Sequence, residues 1–388
     1  MTARSPSADL SFFDGETLLR IIATALVSLS KQHSPRNPVY GDEVQSAFNH
    51  LVLLCLRRGV PPPVSVPDMV SWAAMKPLRE WPLVVPEDLD AIDGCLVDGQ
   101  TRTPTQRCFE WVICGLDPIA EEFENQLMVE AIAQSRVAQS PDSYTAFRRL
   151  LITRPVLTGT ERTLTSADVD LGLLHETIKR CYEPVAASYR RDGRYTECAR
   201  CHCLLVPVGR AGYRCELDRC RRENHPKVGR LLDPTQLGGV YQLSRPLRMF
   251  ITGPGLAETD LEASLIERGL APQMWPNFDA YDLRITLPNR RVWAIDVKDR
   301  ANPALLGRGA RPLRPDPPYD KAFLVVPQYR FEEREAYGRI FDQHRPDELE
   351  SCLELLSEER FLGRLDAELR RIRRGHRAGV HPEGRDDA

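Results

Sequence analysis

Asp296 and Lys298 stand two residues apart in the run Val292-Trp293-Ala294-Ile295-Asp296-Val297-Lys298. Side chains alternate faces along a strand, so this carboxylate and this ammonium project to the same side. The acid lies inside an apolar run, where an unpaired carboxylate is costly, so a partner group or a metal ion is expected beside it. The alternative, two charges on a solvated edge strand, leaves that apolar setting unexplained. A second apolar run, Tyr281-Asp282-Leu283-Arg284-Ile285-Thr286-Leu287, precedes it. Pro288-Asn289-Arg290-Arg291 joins the two with residues that suit a tight turn. Antiparallel pairing would bring Asp282 toward Asp296. Upstream, Leu261, Leu265, Ile266 and Leu270 recur at helical spacing and predict a helix over 258–270, with Glu258 in its first turn. Gly269 and Pro272 mark its end. Glu262 and Asp279 are rival carboxylates for the same neighbourhood. A hard divalent ion such as Mg²⁺ or Mn²⁺ takes oxygen ligands and keeps several waters, so Asp282 and Asp296, supported by Glu258, suffice to hold one. Such an ion lowers the pKa of bound water and stabilises charge on a phosphodiester. Lys298 can orient or deprotonate that water, or stabilise the developing oxyanion.

A second constellation is CARCHCLLVPVGRAGYRCELDRC, residues 198–220. Cys198 and Cys201, then Cys215 and Cys220, form two short hooks separated by a hairpin-sized spacer. Zinc prefers four tetrahedral nitrogen or sulfur ligands, and a ribbon this small needs the metal to fold. His202, Cys203 and His225 leave the ligand set open to substitution, His225 for Cys220 in particular. Four protein ligands leave no open position, so a structural Zn²⁺ is expected rather than a catalytic one.

The elements that position these groups divide the 388 residues into unequal parts. Residues 1–189 read as an all-helical region, with apolar spacing over 12–32, 40–58, 69–75, 105–114, 117–140, 141–151 and 168–188. His33, His50, His175, Trp72, Trp81 and Trp111 show no catalytic spacing and read as core or surface, so the region's expected role is structural or partner docking. Residues 190–235 form the basic zinc ribbon, residues 236–345 an α/β domain, and residues 346–388 a final helix and a loose tail. Net charge is −3 but uneven: the first region is acidic, and 190–250 is strongly basic. Arg219, Arg221 and Arg222 are therefore candidate phosphate contacts, with Tyr189, Tyr195 and Tyr213 interleaved. Arg308, Arg311 and Arg314 lie in a Pro/Gly/Arg-rich loop over 300–319 that suits a strand clamp. No apolar run reaches the ~20 residues of a membrane span, and no signal-peptide pattern opens the chain. Eleven cysteines without a secretory signal fit a reducing cytoplasm.

The order helix-Glu258, strand-Asp282, strand-Asp296-Val297-Lys298, followed by the apolar run Phe323-Leu324-Val325-Val326, resembles the PD-(D/E)xK restriction-endonuclease-like superfamily. Tyr281 stands where the motif's name has proline. The resemblance covers about residues 250–345 and implies an α/β/α domain with a mixed central sheet and a metal-dependent endodeoxyribonuclease. At a finer level, Pro254-Gly255, Glu258, Trp275-Pro276, Asp279, Asp282 and 293–299 resemble the endonuclease-related proteins that accompany prokaryotic Piwi/Argonaute-related (pPIWI-RE) modules. That likeness implies antiviral defence alongside a Piwi-like protein and a helicase, with DNA as the target. It leaves self-association open. The rival functions are a non-catalytic nucleic-acid-binding or scaffold subunit and a zinc-ribbon transcription regulator.

Overall fold

A computed structural model of the chain describes residues 15–31, 40–86, 94–113, 119–222, 226–235 and 237–378. His33, His225, the expected N-terminal tail and the last residues of the expected C-terminal tail lie outside the described residues. The periodic apolar segments of the first region fold as helices Glu16–Lys31, Asp42–Arg57, Val66–Met75, Gln106–Ile113, Ile119–Val137 and Pro141–Thr153. The second buries the stripe that its 3.6-residue period predicts, with Val44, Ala47, Leu51, Leu54 and Cys55. Ser65 accepts the Asp68 N–H and fixes the start of the third.

This region is not all-helical. β1 (Val156–Thr158) and β2 (Tyr182–Pro184) flank β7 (Val240–Leu243) in a three-stranded antiparallel sheet. The helix expected over 168–188 therefore shrinks to His175–Cys181, because Tyr182–Pro184 pairs instead. Between β2 and β7 the chain makes two small ladders, β3 (Tyr195–Cys198) with β6 (Val228–Leu232) and β4 (Val206–Val208) with β5 (Gly212–Arg214). The ribbon thus leaves and rejoins a sheet shared by its two neighbours in sequence.

The second sheet has the order β12-β11-β10-β9-β8. β8 (Gln273–Met274) and β9 (Leu283–Thr286) are antiparallel, as are β9 and β10 (Val292–Val297). β11 (Lys321–Val326) and β12 (Glu354–Ser357) continue parallel to β10. Parallel inner strands are covered on both faces and so read as unbroken apolar runs. Trp293, Ile295, Val297, Phe323 and Val325 join the main core with Leu261, Leu265, Phe361 and Leu365. Ala322 and Leu324 turn to a smaller cluster with Phe341, Leu349 and Leu353.

Three further expectations change. The helix over 258–270 starts earlier, at Gly253–Glu267, after a π-helical turn over Arg248–Thr252, so Glu258 lies in its second turn. The loop over 300–319 contains a helix, Pro303–Gly309, capped by Asn302. The final helix over 347–374 is instead strand β12 followed by helix Glu358–Ala378, so the sheet extends beyond residue 345. No helix among the described residues is long and apolar enough to cross a membrane.

One buried acid ties the first region to the ribbon. Asp98 accepts the N–H groups of Gln100 and Thr101 and pairs with Arg214 at 2.6 Å and Arg221 at 3.1 Å, on either side of Cys215. Burial works against its charge, but the Thr101 N–H, Arg214 and Arg221 outweigh it and hold the pKa at about 2. A depressed folded-state pKa contributes stability above the unfolded value of 3.8 and loses it as pH falls toward 2. Asp98→Asn should cost about 2 kcal/mol at neutral pH, below a fully buried pair because Arg214 is partly exposed. In urea unfolding, the gap between wild type and variant should be flat from neutral pH down to the acid range and narrow below 3.8.

Candidate active site and metal centre

Asp296 closes the apolar part of β10, and Lys298 follows with its backbone N–H on Val325 O of β11. Their same-side placement holds: Lys298 Nζ lies 2.9 Å from Asp296 Oδ1. Asp282, one residue before β9, sends Oδ2 to within 3.6 Å of that ammonium. The same oxygen accepts the Val297 N–H at 2.6 Å, which anchors the carboxylate to β10. Burial first, then Glu258, drives the Asp282 carboxyl well above the usual carboxylate range; Lys298 opposes the shift and Asp296 adds to it. Burial likewise works against the Lys298 ammonium, yet Asp282 and Asp296 raise its pKa, so it stands protonated. Paired with these two carboxylates, it donates hydrogen bonds.

Glu258 is placed differently from expectation. It accepts from Arg148 at 3.2 Å and from Trp275 Nε1 at 2.6 Å, so both oxygens are engaged behind the other two acids. Trp275, Asn277, Phe278 and Asp279 all have positive φ, between 46° and 68°. Side chains rarely adopt that region, and it recurs where a site dictates the backbone. The turn aims Trp275 at Glu258 and holds Asp279 on the Tyr144 hydroxyl at 2.8 Å, with Arg148 at 3.9 Å. The other rival, Glu262, is taken by Arg149 at 2.8 Å.

Arg148 and Tyr144 belong to the helix Pro141–Thr153 and were not identified from sequence. Their approach depends on Gly255, where a Cβ would stand 2.3 Å from Ile152. A usable signal existed: adjacent Arg148 and Arg149 match Glu258 and Glu262, one helical turn apart. A second contact from the first region lies just beyond Lys298. Gln106 Nε2 donates to Asp299 O at 2.7 Å, and the Glu110 oxygens accept Ala301 N–H at 2.8 Å and Asn302 N–H at 3.0 Å. Tyr329 at 2.6 Å and Arg330 at 2.7 Å hold the Asp299 carboxylate.

Among the described residues, the group able to surround a metal ion is Cys198, Cys201, Cys215 and Cys220, whose sulfurs all lie within 4.8 Å of one another. All four are buried. Hydrogen bonds from Cys201, Cys215 and Cys220 pull the Cys198 thiol down, while Cys198 pushes the Cys201 thiol up. Four such sulfurs can ionise together only around a cation, and the buried cluster can hold a metal such as zinc. Cys203 is buried but lies outside that set, and His202 is exposed.

The basic surface contracts. Arg219 pairs with Asp260, Arg221 with Asp98 and Asp218, and Arg222 with Glu332 at 2.9 Å. Arg308 pairs with Glu16 at 2.8 Å. Each of these four has an intramolecular carboxylate partner. Arg311 and Arg314 hydrogen-bond backbone carbonyls instead, which leaves their charges uncompensated.

Two carboxylates and a protonated lysine, gathered where β10 ends and β9 begins, define a class of centre whose donors suit a cation and an anion together. A family model described as pPIWI_RE three-gene island domain Y matches residues 18–158. A second, described as REase associating with pPIWI_RE, matches residues 255–373. Together the two matched segments support a restriction-endonuclease-related protein of pPIWI-RE modules. No curated protein and no solved structure matches it. Arg148, Gln106 and Glu110 lie in the first matched segment, and the acids and Lys298 in the second.

Two measurements test this geometry. Chelation, or Cys198→Ser with Cys201→Ser, should release one zinc per chain, read by elemental analysis, and lower the melting temperature. Glu110→Ala strips the acceptor from two buried N–H groups and should cost about 2–4 kcal/mol in denaturant unfolding, with Glu110→Gln recovering about half.

Proposed function

We propose that this chain is the metal-dependent DNA endonuclease subunit of a pPIWI-RE module. The observation that carries this reading is the convergence of Asp282, Asp296 and Lys298 beside an open cavity, within the segment that matches the restriction-endonuclease-related family. The residues fit a hard cation. Asp282 is driven toward its neutral form by burial and neighbouring acids, a cost that a cation would relieve, and its second oxygen makes no hydrogen bond with a described residue. Asp282 and Asp296 would hold Mg²⁺ or Mn²⁺, which would supply a lowered water pKa and positive charge at the phosphate. Two protein carboxylates suffice because such ions keep waters and take substrate oxygens.

The side chains then have separable roles. Lys298, protonated, orients the attacking water and stabilises the charge that builds on the phosphate oxygens. Water adds to phosphorus and gives up a proton to solvent, the bond to the leaving sugar oxygen breaks, and that oxygen takes up a proton from solvent. Glu258, saturated by Arg148 and Trp275, supports the site by holding the strained turn rather than by ligation. The family descriptions support action beside a Piwi-related protein, and the resemblance adds a helicase and defence against invading DNA.

Asp296→Asn should reduce cleavage of plasmid and single-stranded DNA in Mg²⁺ or Mn²⁺ by about 10²–10³-fold or more while the melting temperature holds. Lys298→Met should do the same. Full cleavage by Asp296→Asn would sink the assignment. Cleavage by wild type that appears upon addition of the module's Piwi-like protein would make the chain a partner-dependent nuclease.

A further inference from the structure

The cavity beside Asp296 and Lys298 has a volume of 380 Å³. Cavities that take organic ligands begin at roughly 300 Å³. Its walls divide by chemistry. The charged lining is Glu110, Asp296, Lys298, Arg300, Arg311 and Arg314, and five leucines, among them Leu305, Leu324 and Leu353, make much of the rest aliphatic. Arg311 and Arg314 bond backbone carbonyls, and the Arg300 side chain makes no hydrogen bond with a described residue and feels Glu110, on the same lining, through space. Three cationic side chains without a hydrogen-bonded carboxylate therefore line a chamber with a large aliphatic share.

We propose that this chamber seats one unstacked nucleotide of the strand to be cut, its base against the leucines and its phosphate among Lys298 and the arginines. The substrate is then a single strand, or a duplex opened at the cut. The inference rests on the nuclease reading for its placement of the scissile phosphate. Phosphate contacts alone need an open cationic surface, and an aliphatic enclosure contributes nothing to them. A nucleobase has two apolar faces, and enclosing it requires taking it out of the stack. That step costs a few kcal/mol in a duplex and least in a strand already single. Aliphatic walls accept any base face, so the preference expected is for strandedness rather than for sequence.

Gly309 supplies the test. It lines the chamber, and a Cβ added there meets nothing within 4 Å, so a larger side chain enters open space rather than the core. The measurements are fluorescence anisotropy of a labelled oligonucleotide, single-stranded or in duplex with Ca²⁺, and cleavage of both with Mg²⁺. Wild type should prefer the single strand at least about tenfold. Gly309→Phe, with Gly309→Leu as a second variant, should lower single-strand binding and cleavage by a similar factor, with an unchanged melting temperature. Gly309→Ala should stay near wild type. Equal use of both substrates, or indifference to Gly309→Phe, overturns the nucleotide seat while leaving a cleaving enzyme a nuclease. Strand-selective binding that Gly309→Phe removes, with no cleavage under any condition, upholds the seat and overturns the nuclease reading. No binding of either oligonucleotide overturns the seat outright.

Discussion

Four carboxylates, Glu258, Asp279, Asp282 and Asp296, occupy one largely buried neighbourhood, and their mutual repulsion is the constraint on which the rest of the structure turns. Burial and the other acids push Glu258 and Asp282 toward their neutral forms. Arg148 and Lys298 enter from opposite sides, one from a helix more than a hundred residues upstream and one from β10 itself. Removing one partner of a buried pair leaves an uncompensated charge, so such acids persist only where the surrounding packing fixes their cations. The Gly255–Ile152 contact provides that packing, because it lets two helices approach closely enough for Arg148 to reach Glu258. The left-handed turn over Trp275–Asp279 is the local backbone cost of the same arrangement.

Charge also explains how the regions fit together. An acidic first region and a basic ribbon would suggest, separately, a repelling surface and a nucleic-acid surface. In the folded chain they neutralise one another, through Asp98 with Arg214 and Arg221 and through Glu161 with Arg230 at 2.8 Å. β7 then closes a sheet with strands on the far side of the ribbon, and the main apolar core runs unbroken from Leu18 to Ile372 with the ribbon cysteines inside it.

What the sequence made legible is what local pattern encodes. Alternation and apolar runs marked β9, β10 and β11, the two-residue spacing put Asp296 beside Lys298, and paired cysteine hooks marked their own convergence. Four-residue β12 escaped because Glu354–Ser357 lies between helical stretches and gains its identity only by pairing with β11. β1 and β2 escaped for the same reason: three residues carry no period, and their partner lies about sixty residues or more downstream. Several arginines read as phosphate contacts also meet acids distant in sequence, a pairing that composition does not record. Arg148, Gln106 and Glu110 looked like ordinary helix surface, and their meaning arises solely from long-range contact.

The division of labour between the two cations follows from exposure. Arg148 is buried and its guanidinium keeps its charge at any accessible pH, so it suits permanent neutralisation of Glu258 and Asp279. Lys298 reaches the open cavity with a side chain about a third exposed, and a compact ammonium there can exchange its carboxylate partners for another anionic oxygen. Glu110 and Gln106 hold the backbone that leaves Lys298, which limits how far that exchange can drag the strand. A centre built on the second matched segment therefore borrows both its fixed cation and its brace from the first, which gives a physical reason for the two to share one chain.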